Sequence, residues 1–250
     1  MGTAVARYFD KKGGEVKIYD KYKESNDVAD VIKQDFIFIA VPTPFDGKID
    51  LSMMDEAMAN ASKAEKGKIV IIKSTIIPGT TEKYQKLYPH LKIIFNPEFL
   101  TEETADQDFG FPDRQIVGYA SESYDVAGDV MAILPLAPFS RIVPATAAEM
   151  IKYFGNNWFA VKVAYANQMY DFCEKMGIDY DIVMQGVAAD KRIGRSHLEV
   201  WHKGYRGYGG KCLPKDIRAL IQFAGDLGLD MKLLKATEEI NKVLTGGIDR

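Results

Sequence analysis

Short apolar runs alternate with segments of helical pattern through the first half of the chain, and this alternation constrains the fold more than any other feature. Runs rich in branched and aromatic residues occupy 16–20, 35–41, 68–73, 91–95 and 115–119. Helical patterns at 51–64 and 80–87 lie between them. The runs at 35–41 and 68–73 are nearly continuous, which is typical of strands buried on both faces. The pattern therefore predicts an α/β fold in which βαβ units build a Rossmann-like, doubly wound parallel sheet.

The second half of the chain has a helical pattern throughout. Residues 146–176 contain no proline and are predicted to form one long helix, with Thr146 and Glu149 as its capping box. We expect a domain boundary at the start of this helix, with a Rossmann-like domain in 1–145 and an all-helical domain in 146–250. Further helices are predicted at 179–189, 214–227 and 231–243.

The composition limits the classes of function. The formal net charge is −3 over 250 residues, which provides no basic surface for nucleic acid. No apolar run approaches the roughly 18 residues of a membrane span, and the N-terminus lacks the pattern of a signal peptide. Two cysteines do not make a disulfide framework. We therefore expect a cytoplasmic protein that binds neither nucleic acid nor a membrane.

The start of the chain has the pattern of the first helix of a dinucleotide-binding unit. Gly2 has the place of the last glycine in a GxGxxG turn. Asp20 ends the next apolar run, where such folds carry an acid for the ribose. The strand that normally precedes this turn, and the turn's first two glycines, have no counterpart in the sequence. The domain is therefore expected to be N-terminally truncated, with its first strand missing.

The segment 208–216 (YGGKCLPKD) predicts a reactive thiol at Cys212. Its two adjacent glycines allow a ligand to approach the backbone closely. Pro214 favours the first turn of a helix, so Cys212 is expected just ahead of that helix, where the helix dipole stabilises a thiolate. Asp216 follows about one turn later. Cys173, by contrast, lies in an apolar stretch of the long helix and is predicted to be a buried structural residue.

The same segment resembles the active-site signature of the UDP-glucose/GDP-mannose dehydrogenase family. Five other motifs resemble that family's motifs and occur in the same order. They are Val41-Pro42-Thr43-Pro44, Lys73-Ser74-Thr75, the NPEFLTE segment at 96–102, the E-x-x-K-x-x-x-N pattern from Glu149 to Asn156, and Lys191-Arg192-Ile193-Gly194. The six matches span residues 41–216, which makes the resemblance specific. It implies NAD-dependent oxidation of the C6 alcohol of a nucleotide sugar to a carboxylate.

The resemblance also implies how the oxidation proceeds. Cys212 would add to the aldehyde at C6 and carry the sugar through a thiohemiacetal and a thioester. Lys152 and Asn156 lie four residues apart on one helix, so that both side chains can point at the developing oxyanion.

Proton transfer and binding are assigned by the same resemblance. Thr75 and Asp216 would hold a water for proton transfer, and Glu98 would serve as an acid or base in the hydrolysis. Arg192 would reach the substrate of a neighbouring subunit, in a homodimer formed through the helix at 147–176. The predicted cofactor-binding residues are Gly2, Asp20, Thr43, Thr75, Glu102 and Lys215. The predicted substrate-binding residues are Glu98, Phe99, Leu100, Glu102, Lys152, Asn156, Arg192, Tyr208 and Gly209.

Three other functions remain compatible with the sequence. A β-hydroxyacid dehydrogenase would use Lys152 and Asn156 for a single oxidation and would need no cysteine. A cysteine hydrolase would pair Cys212 with His197 or His202. The family's C-terminal nucleotide-binding domain has no counterpart at the end of the sequence, so an inactive dimerising remnant is the third alternative.

The sequence indicates the class of substrate but only partly its identity. The sequence does not separate UDP-glucose from UDP-N-acetylmannosamine or GDP-mannose, although the YGG-x-CLPKD form favours UDP-glucose by resemblance. Three histidines and two cysteines show no ligand spacing, so no metal site is expected.

Overall fold

The computed structural model describes residues 1–101 and 103–248. The chain divides into two compact units between Lys152 and Tyr153. Each unit is described on its own below.

The first unit is a five-stranded sheet with helices on both faces. Its strands are β1 (Phe36–Ile39), β4 (Ile69–Ile72), β5 (Lys92–Phe95), β6 (Arg114–Tyr119) and β7 (Phe139–Pro144), and they lie side by side in the order β1-β4-β5-β6-β7. A separate hairpin is formed by β2 (Phe45–Asp46) and β3 (Lys48–Ile49). The helices are α1 (Gly2–Lys11), α2 (Val28–Val31), α3 (Ser52–Ala61), α4 (Thr80–Leu87), α5 (Ala105–Gly110) and α6 (Ala127–Ile133), with a 3-10 turn at Tyr124–Val126.

The predicted strands at 35–41, 68–73, 91–95 and 115–119 are confirmed as β1, β4, β5 and β6. All four residues of β4 are buried, which explains why its sequence is a continuous apolar run. On one face of the sheet, the core includes Met54 and Met58 of α3 and Tyr84 of α4. On the other face, Ala127 and Val130 of α6 pack against the strands. The Rossmann-like fold is therefore confirmed.

The sheet is mostly rather than wholly parallel. Strands β1, β4 and β5 are parallel, whereas β6 runs antiparallel to β5 and β7 runs parallel to β6. The connection from β5 to β6 explains the reversal. After Phe95 the chain stays at the carboxyl edge of the sheet, where Phe109 of α5 packs against Val5 of α1, and it then enters β6 from that same edge.

The strand predicted at 16–20 is wrong, because this segment has no regular structure. A strand needs a neighbour to bond with, and no strand of the described residues pairs with this segment. Its backbone groups are used locally instead. Ile18 N donates to the side chain of Asn26 at 2.8 Å, and Asp20 N donates to the hydroxyl of Ser25 at 3.0 Å.

The long helix is confirmed as α7 (Ala145–Met176), and the boundary between the two units falls inside it. Its predicted capping box is wrong. Glu149 is fully buried and bonds to Gly79 and Thr81 at the start of α4, so its carboxylate caps a different helix from its own. At the start of α7, a Cβ added to Gly118 would lie 2.6 Å from the Cβ of Ala148, so glycine is required for the close approach of β6.

The second unit consists of the rest of α7 and the helices α8 (Tyr180–Ala188), α9 (Leu213–Asp226) and α10 (Lys232–Thr245), with one short hairpin, β8 (Trp201–His202) and β9 (Tyr205–Arg206). The three predicted helices are confirmed. Cys173 is buried in a cluster with Tyr180 and Met184, as predicted for a structural cysteine. No helix in the described part of the chain is long and apolar enough to cross a membrane.

Candidate active site

Two of the motif turns meet at the carboxyl edge of the sheet in the first unit. The first turn follows β1 and the second follows β4. Ser74 Oγ accepts a hydrogen bond from Val41 N at 2.9 Å and donates to Val41 O at 2.7 Å. Thr43 is buried, and its hydroxyl donates to the carbonyl of Thr75 at 2.8 Å. The carboxyl edge is where open α/β sheets bind ligands, and these bonds fix the two turns to each other there.

The second motif turn begins with a buried lysine. Lys73 Nζ lies 2.9 Å from Glu98 Oε2 and donates to Asn96 Oδ1 at 2.7 Å. It also lies over the ring of Phe109, 5.2 Å from its centroid. Burial lowers the pKa of Lys73, and the negative charge of Glu98 opposes that effect. The sequence motif contained this lysine, but we assigned it no role from sequence.

Glu98 connects this lysine to the predicted catalytic lysine. Its Oε1 accepts hydrogen bonds from Phe99 N at 2.9 Å and Leu100 N at 3.2 Å, which folds the loop around the carboxylate. Its backbone carbonyl accepts a hydrogen bond from Lys152 Nζ at 2.5 Å. Two cations lie near the ring of Phe99, with Arg114 3.9 Å and Lys152 5.7 Å from its centroid. The structure thus brings together four of the residues predicted to bind substrate.

Glu149 fixes the segment after the second motif turn. Its Oε2 accepts from Gly79 N at 2.6 Å, and its Oε1 accepts from Thr81 N at 2.9 Å and Thr81 Oγ1 at 2.6 Å. Gly79 has a φ of 94°, a left-handed conformation that favours glycine. Burial raises the pKa of Glu149, and the bonds from Thr81 and Gly79 oppose the rise. The carboxylate ties α7, which carries Lys152, to the start of α4.

A cavity of about 710 Å³ lies beside β1 in the first unit, and its lining includes Gly2, Asp20, Val41 and Pro42. A Cβ added to Gly2 would meet Ala40 at 3.6 Å, an ordinary contact, so the packing of the protein does not itself require glycine there. The close approach of a dinucleotide backbone would require it. The side chain of Asp20 is 36% exposed, which suits a carboxylate that binds a ribose. These residues fit NAD.

In the second unit, Cys212 is the exposed N-cap residue of α9, as predicted. Asp216 lies one turn into the helix and is 1% exposed. Its Oδ2 accepts from Asn156 Nδ2 at 2.5 Å, its Oδ1 pairs with Lys215 Nζ, and its backbone N donates to the carbonyl of Cys212 at 2.9 Å. Four predicted site residues therefore form one cluster at the start of α9.

The loop before the cysteine is fastened to α10. Asn241 accepts from Tyr208 N at 2.7 Å and donates to Tyr208 O at 2.9 Å. The buried Tyr208 hydroxyl donates to Glu238 at 3.0 Å. A Cβ added to Gly207, whose φ is 88°, would lie 2.5 Å from Asn241 Oδ1. The hydrogen bonds of Tyr208 thus serve the loop, while Gly209 is half-buried beside it. Sequence reasoning missed Asn241, because nothing local marks a partner 33 residues away.

One predicted residue stands outside these clusters, and another is not among the described residues. Arg192 is exposed, and its guanidinium bonds to the carboxylate of Asp190 at 2.6 Å. Glu102, predicted to bind both cofactor and substrate, lies outside the described residues.

The mostly parallel sheet, the ligand-binding edge and the cavity beside a glycine at a helix start are those of a dinucleotide-binding domain. The chain belongs to the UDP-glucose/GDP-mannose dehydrogenase family. Residues 14–132 match the model of that family's NAD binding domain, and residues 146–243 match the model of its central domain. The match to the NAD binding domain confirms NAD as the predicted cofactor.

Individual relatives agree with this assignment. The chain is 36% identical over 236 residues to a UDP-glucose 6-dehydrogenase of Rickettsia typhi, covering 90% of this chain and 52% of the relative. It is 36% identical over 220 residues to the UDP-glucose 6-dehydrogenase YwqF of Bacillus subtilis, covering 83% of this chain and 48% of the relative. A UDP-glucose dehydrogenase structure from Pyrobaculum islandicum superposes with a TM-score of 0.77 at 33% identity, covering 86% of this chain and 52% of that one. The chain thus spans about half the length of these relatives.

Proposed function

We propose that this protein takes part in the NAD-dependent oxidation of a nucleotide sugar at C6 to the uronic acid, with UDP-glucose as the favoured substrate. The observation that carries the proposal is the cluster at the start of α9. An exposed thiol at Cys212 stands one helical turn from a buried carboxylate that Asn156 and Lys215 hold in place. A single-oxidation dehydrogenase has no use for such a thiol, whereas an aldehyde intermediate needs a nucleophile.

Each residue has a defined task in this reaction. NAD, when bound, supplies the acceptor for the hydride in both oxidations. A water held by Thr75 and Asp216 takes the proton of the C6 alcohol, and Lys152 with Asn156 stabilises the oxyanion. The sulfur of the Cys212 thiol then adds to the aldehyde carbon, and the thiol proton passes to the resulting alkoxide oxygen to give a thiohemiacetal.

The second half of the reaction releases the acid. Loss of a second hydride and the hydroxyl proton converts the thiohemiacetal into a thioester. A water then adds to the thioester carbon, the carbon–sulfur bond breaks and the thiol of Cys212 is restored. Glu98 acts as the acid or base of this hydrolysis in our proposal.

The remaining predicted residues are proposed to bind ligands. On the cofactor side these are Gly2, Asp20, Thr43, Glu102 and Lys215. On the substrate side they are Phe99, Leu100, Glu102, Arg192, Tyr208 and Gly209. The two cations near Phe99, Arg114 and Lys152, support a binding site for the negatively charged diphosphate of the sugar nucleotide, because neighbouring positive charges attract an anion.

We also propose that the protein is a homodimer formed through α7 and that it is cytoplasmic. Large apolar side chains are exposed along this helix, among them Phe154, Trp158, Tyr165, Phe172 and Met176. A row of this kind is characteristic of a protein interface. Both cysteines are free thiols, which suits a reducing compartment. Light scattering of the unmodified protein should give twice the mass of one chain. The variant Phe172→Glu should give the mass of one chain. The control variant Lys175→Glu, three residues further along the helix, should remain a dimer.

The reaction is tested by the absorbance of NADH formed from NAD and UDP-glucose. Cys212→Ser is the informative variant, and Cys173→Ala is its matched control because it removes the other, buried thiol. Parallel assays with GDP-mannose and UDP-N-acetylmannosamine identify the sugar nucleotide. NADH formed by the unmodified protein and by Cys173→Ala, and lost in Cys212→Ser, is the expected result. A folded dimer that makes no NADH from any of the three would overturn the proposed activity in favour of an inactive remnant.

A further inference from the structure

The buried lysine of the second motif turn, Lys73, is a charged group at the site that has no task in the proposed reaction. The side chain of Lys73 is 2% exposed at the end of β4. Lysine is rarely buried to this degree unless its charge is compensated, because removal of an ammonium group from water is costly. Its partner Glu98 is itself a predicted catalytic residue, so Lys73 contacts a residue of the proposed reaction directly.

The position of the ammonium group is fixed from the sheet side. Asn96 Nδ2 donates to the carbonyl of Ile116 on β6 at 2.8 Å. This bond determines which way the amide points, so that Asn96 Oδ1 faces Lys73 at 2.7 Å. Because both the lysine and the asparagine directly follow buried strands, the backbone of the sheet sets the place of the charge.

The ammonium group in turn fixes the carboxylate of Glu98. Lys73 Nζ lies 2.9 Å from Oε2, which is buried and makes no other polar contact within the described residues. Oε1 is occupied by the amide groups of Phe99 and Leu100. The carboxylate therefore holds the loop in one conformation, and in that conformation the carbonyl of Glu98 faces Lys152 Nζ at 2.5 Å.

We propose that Lys73 is a positioning residue that orients the predicted catalytic Lys152 through Glu98. Its ammonium group holds the Glu98 carboxylate in place, and the carboxylate holds the loop whose carbonyl binds Lys152. The inference deepens the proposed function, and it rests on that function for the catalytic role of Lys152. The lowered pKa of Lys73 that follows from burial agrees with this arrangement.

The test measures how fast Lys152 is modified by an amine-specific acylating reagent across a range of pH, by peptide mass spectrometry. It uses the full chain without NAD or substrate. Lys73→Met should raise the rate at Lys152 by up to about tenfold, the worth of one charge-assisted hydrogen bond in an equilibrium. Two controls bound the result. Lys66→Met removes an exposed lysine that precedes the same strand, and Met58→Ala destabilises the same unit from its buried core.

A double variant, Lys73→Met with Glu98→Gln, keeps the test valid if the single variant folds poorly. It leaves no uncompensated charge in the interior, and the glutamine oxygen can still accept from Phe99 and Leu100. The proposal predicts that modification of Lys152 stays fast in the double variant, because no ammonium group then holds residue 98. Rates at Lys152 that match those in Met58→Ala, or that return in the double variant to the slow modification seen in the unmodified protein, would show that Lys73 serves stability alone and would overturn the proposal.

The kinetic readout separates this inference from the proposed function. If the chain forms NADH, Lys73→Met should lower kcat with little change in the KM for NAD, because Lys152 acts on the reacting oxygen and not on the cofactor. An inactive chain whose Lys152 still responds to Lys73→Met would contradict the proposed function and leave the positioning role in place.

Discussion

Each unit of the protein holds a buried carboxylate beside a lysine, and the lysines of the two pairs compared below differ in their access to water. In the first unit, the sealed pair consists of Glu98 and Lys73, whose side chain is 2% exposed. In the second unit, the open pair consists of Asp216 and Lys215, whose side chain is 16% exposed. In the sealed pair the lysine cannot turn to water, so the pair fixes geometry. In the open pair the lysine can turn to water, while the Asp216 carboxylate is 1% exposed and stays one helical turn from Cys212.

The two carboxylates also differ in the groups that they bind. Glu98 binds the amide groups of its own loop, so its effect is to shape that loop. Asp216 binds Asn156 on another helix and the backbone of Cys212, so its effect is to place a thiol and an amide relative to each other. The comparison therefore predicts that the sealed pair controls the conformation of its loop, in addition to the proposed part of Glu98 in the hydrolysis, and that the open pair contributes to the chemistry at Cys212.

The largest effect on stability is expected from breaking the sealed pair. Glu98→Leu leaves the ammonium of Lys73 buried without its counter-charge and should lower the free energy of unfolding by about 3–5 kcal/mol. Chemical denaturation measures it. The double variant Lys73→Met with Glu98→Leu should recover most of the loss, since no charge is then left in the interior. If Glu98→Leu is as stable as the unmodified protein, Lys73 and Glu98 do not form a pair that is closed to water.

A smaller effect on stability is expected from the open pair. Asp216→Ala removes the acceptor of Asn156 and should cost about 1–3 kcal/mol, because Lys215 can turn to solvent. The effect on activity should be larger: Asp216→Asn is expected to lower kcat by about a hundredfold or more, as loss of a proton-transfer group does. Chemical denaturation measures the loss of stability, and initial rates on the same protein samples measure the loss of kcat. Equal stability losses for Asp216→Ala and Glu98→Leu would remove the distinction between the pairs.

The smallest effect concerns Glu149, a third buried carboxylate, whose hydrogen bonds come from Gly79 and Thr81. Glu149→Gln places an amide donor against one of these donors and should cost about 1–2 kcal/mol at low pH. Burial raises the pKa of Glu149 in the folded state. Its titration therefore contributes stability that is present below the ordinary carboxyl pKa and is lost as pH rises through the raised one.

The pH dependence of the free energy of unfolding tests the direction of this effect. As pH rises from the ordinary carboxyl pKa through the raised pKa of Glu149, the free energy of unfolding of the unmodified protein should fall. The part of this fall that Glu149 causes should be absent in Glu149→Gln. Thr146→Ala is the matched control, because it alters the other residue of the predicted capping box. A free energy that rises across the window only in the unmodified protein would show that the hydrogen bonds to Glu149 outweigh its burial.

The sequence predicts the parts of this structure that depend on local pattern. The continuous apolar run of β4 follows from burial on both faces, and the proline after Cys212 follows from its fit to the first turn of α9. The segment at 16–20 has the composition of a strand and still fails to form one, because a strand also needs a partner that composition cannot supply.

The supports of the site depend on contacts between distant residues, and here the sequence was misleading or silent. Glu149 matches a capping box three residues from Thr146, yet it bonds to Thr81, which lies 68 residues away in the sequence. Lys73 is visible as a charge that ends an apolar run. The need to compensate that charge was a usable signal, but its partner Glu98 follows a different strand. Parallel strands bring such residues together at one edge of the sheet, and only the topology shows which of them meet.

The yield of NADH per sugar tests the central claim most directly. With UDP-glucose limiting and NAD in excess, the proposed pathway through Cys212 predicts about two NADH per sugar, because the thiol holds the substrate for a second hydride transfer. Cys173→Ala should give the same yield, and Cys212→Ser should not reach it. A yield of about one NADH per sugar that is unchanged in Cys212→Ser would contradict the account, because a single oxidation needs no nucleophile.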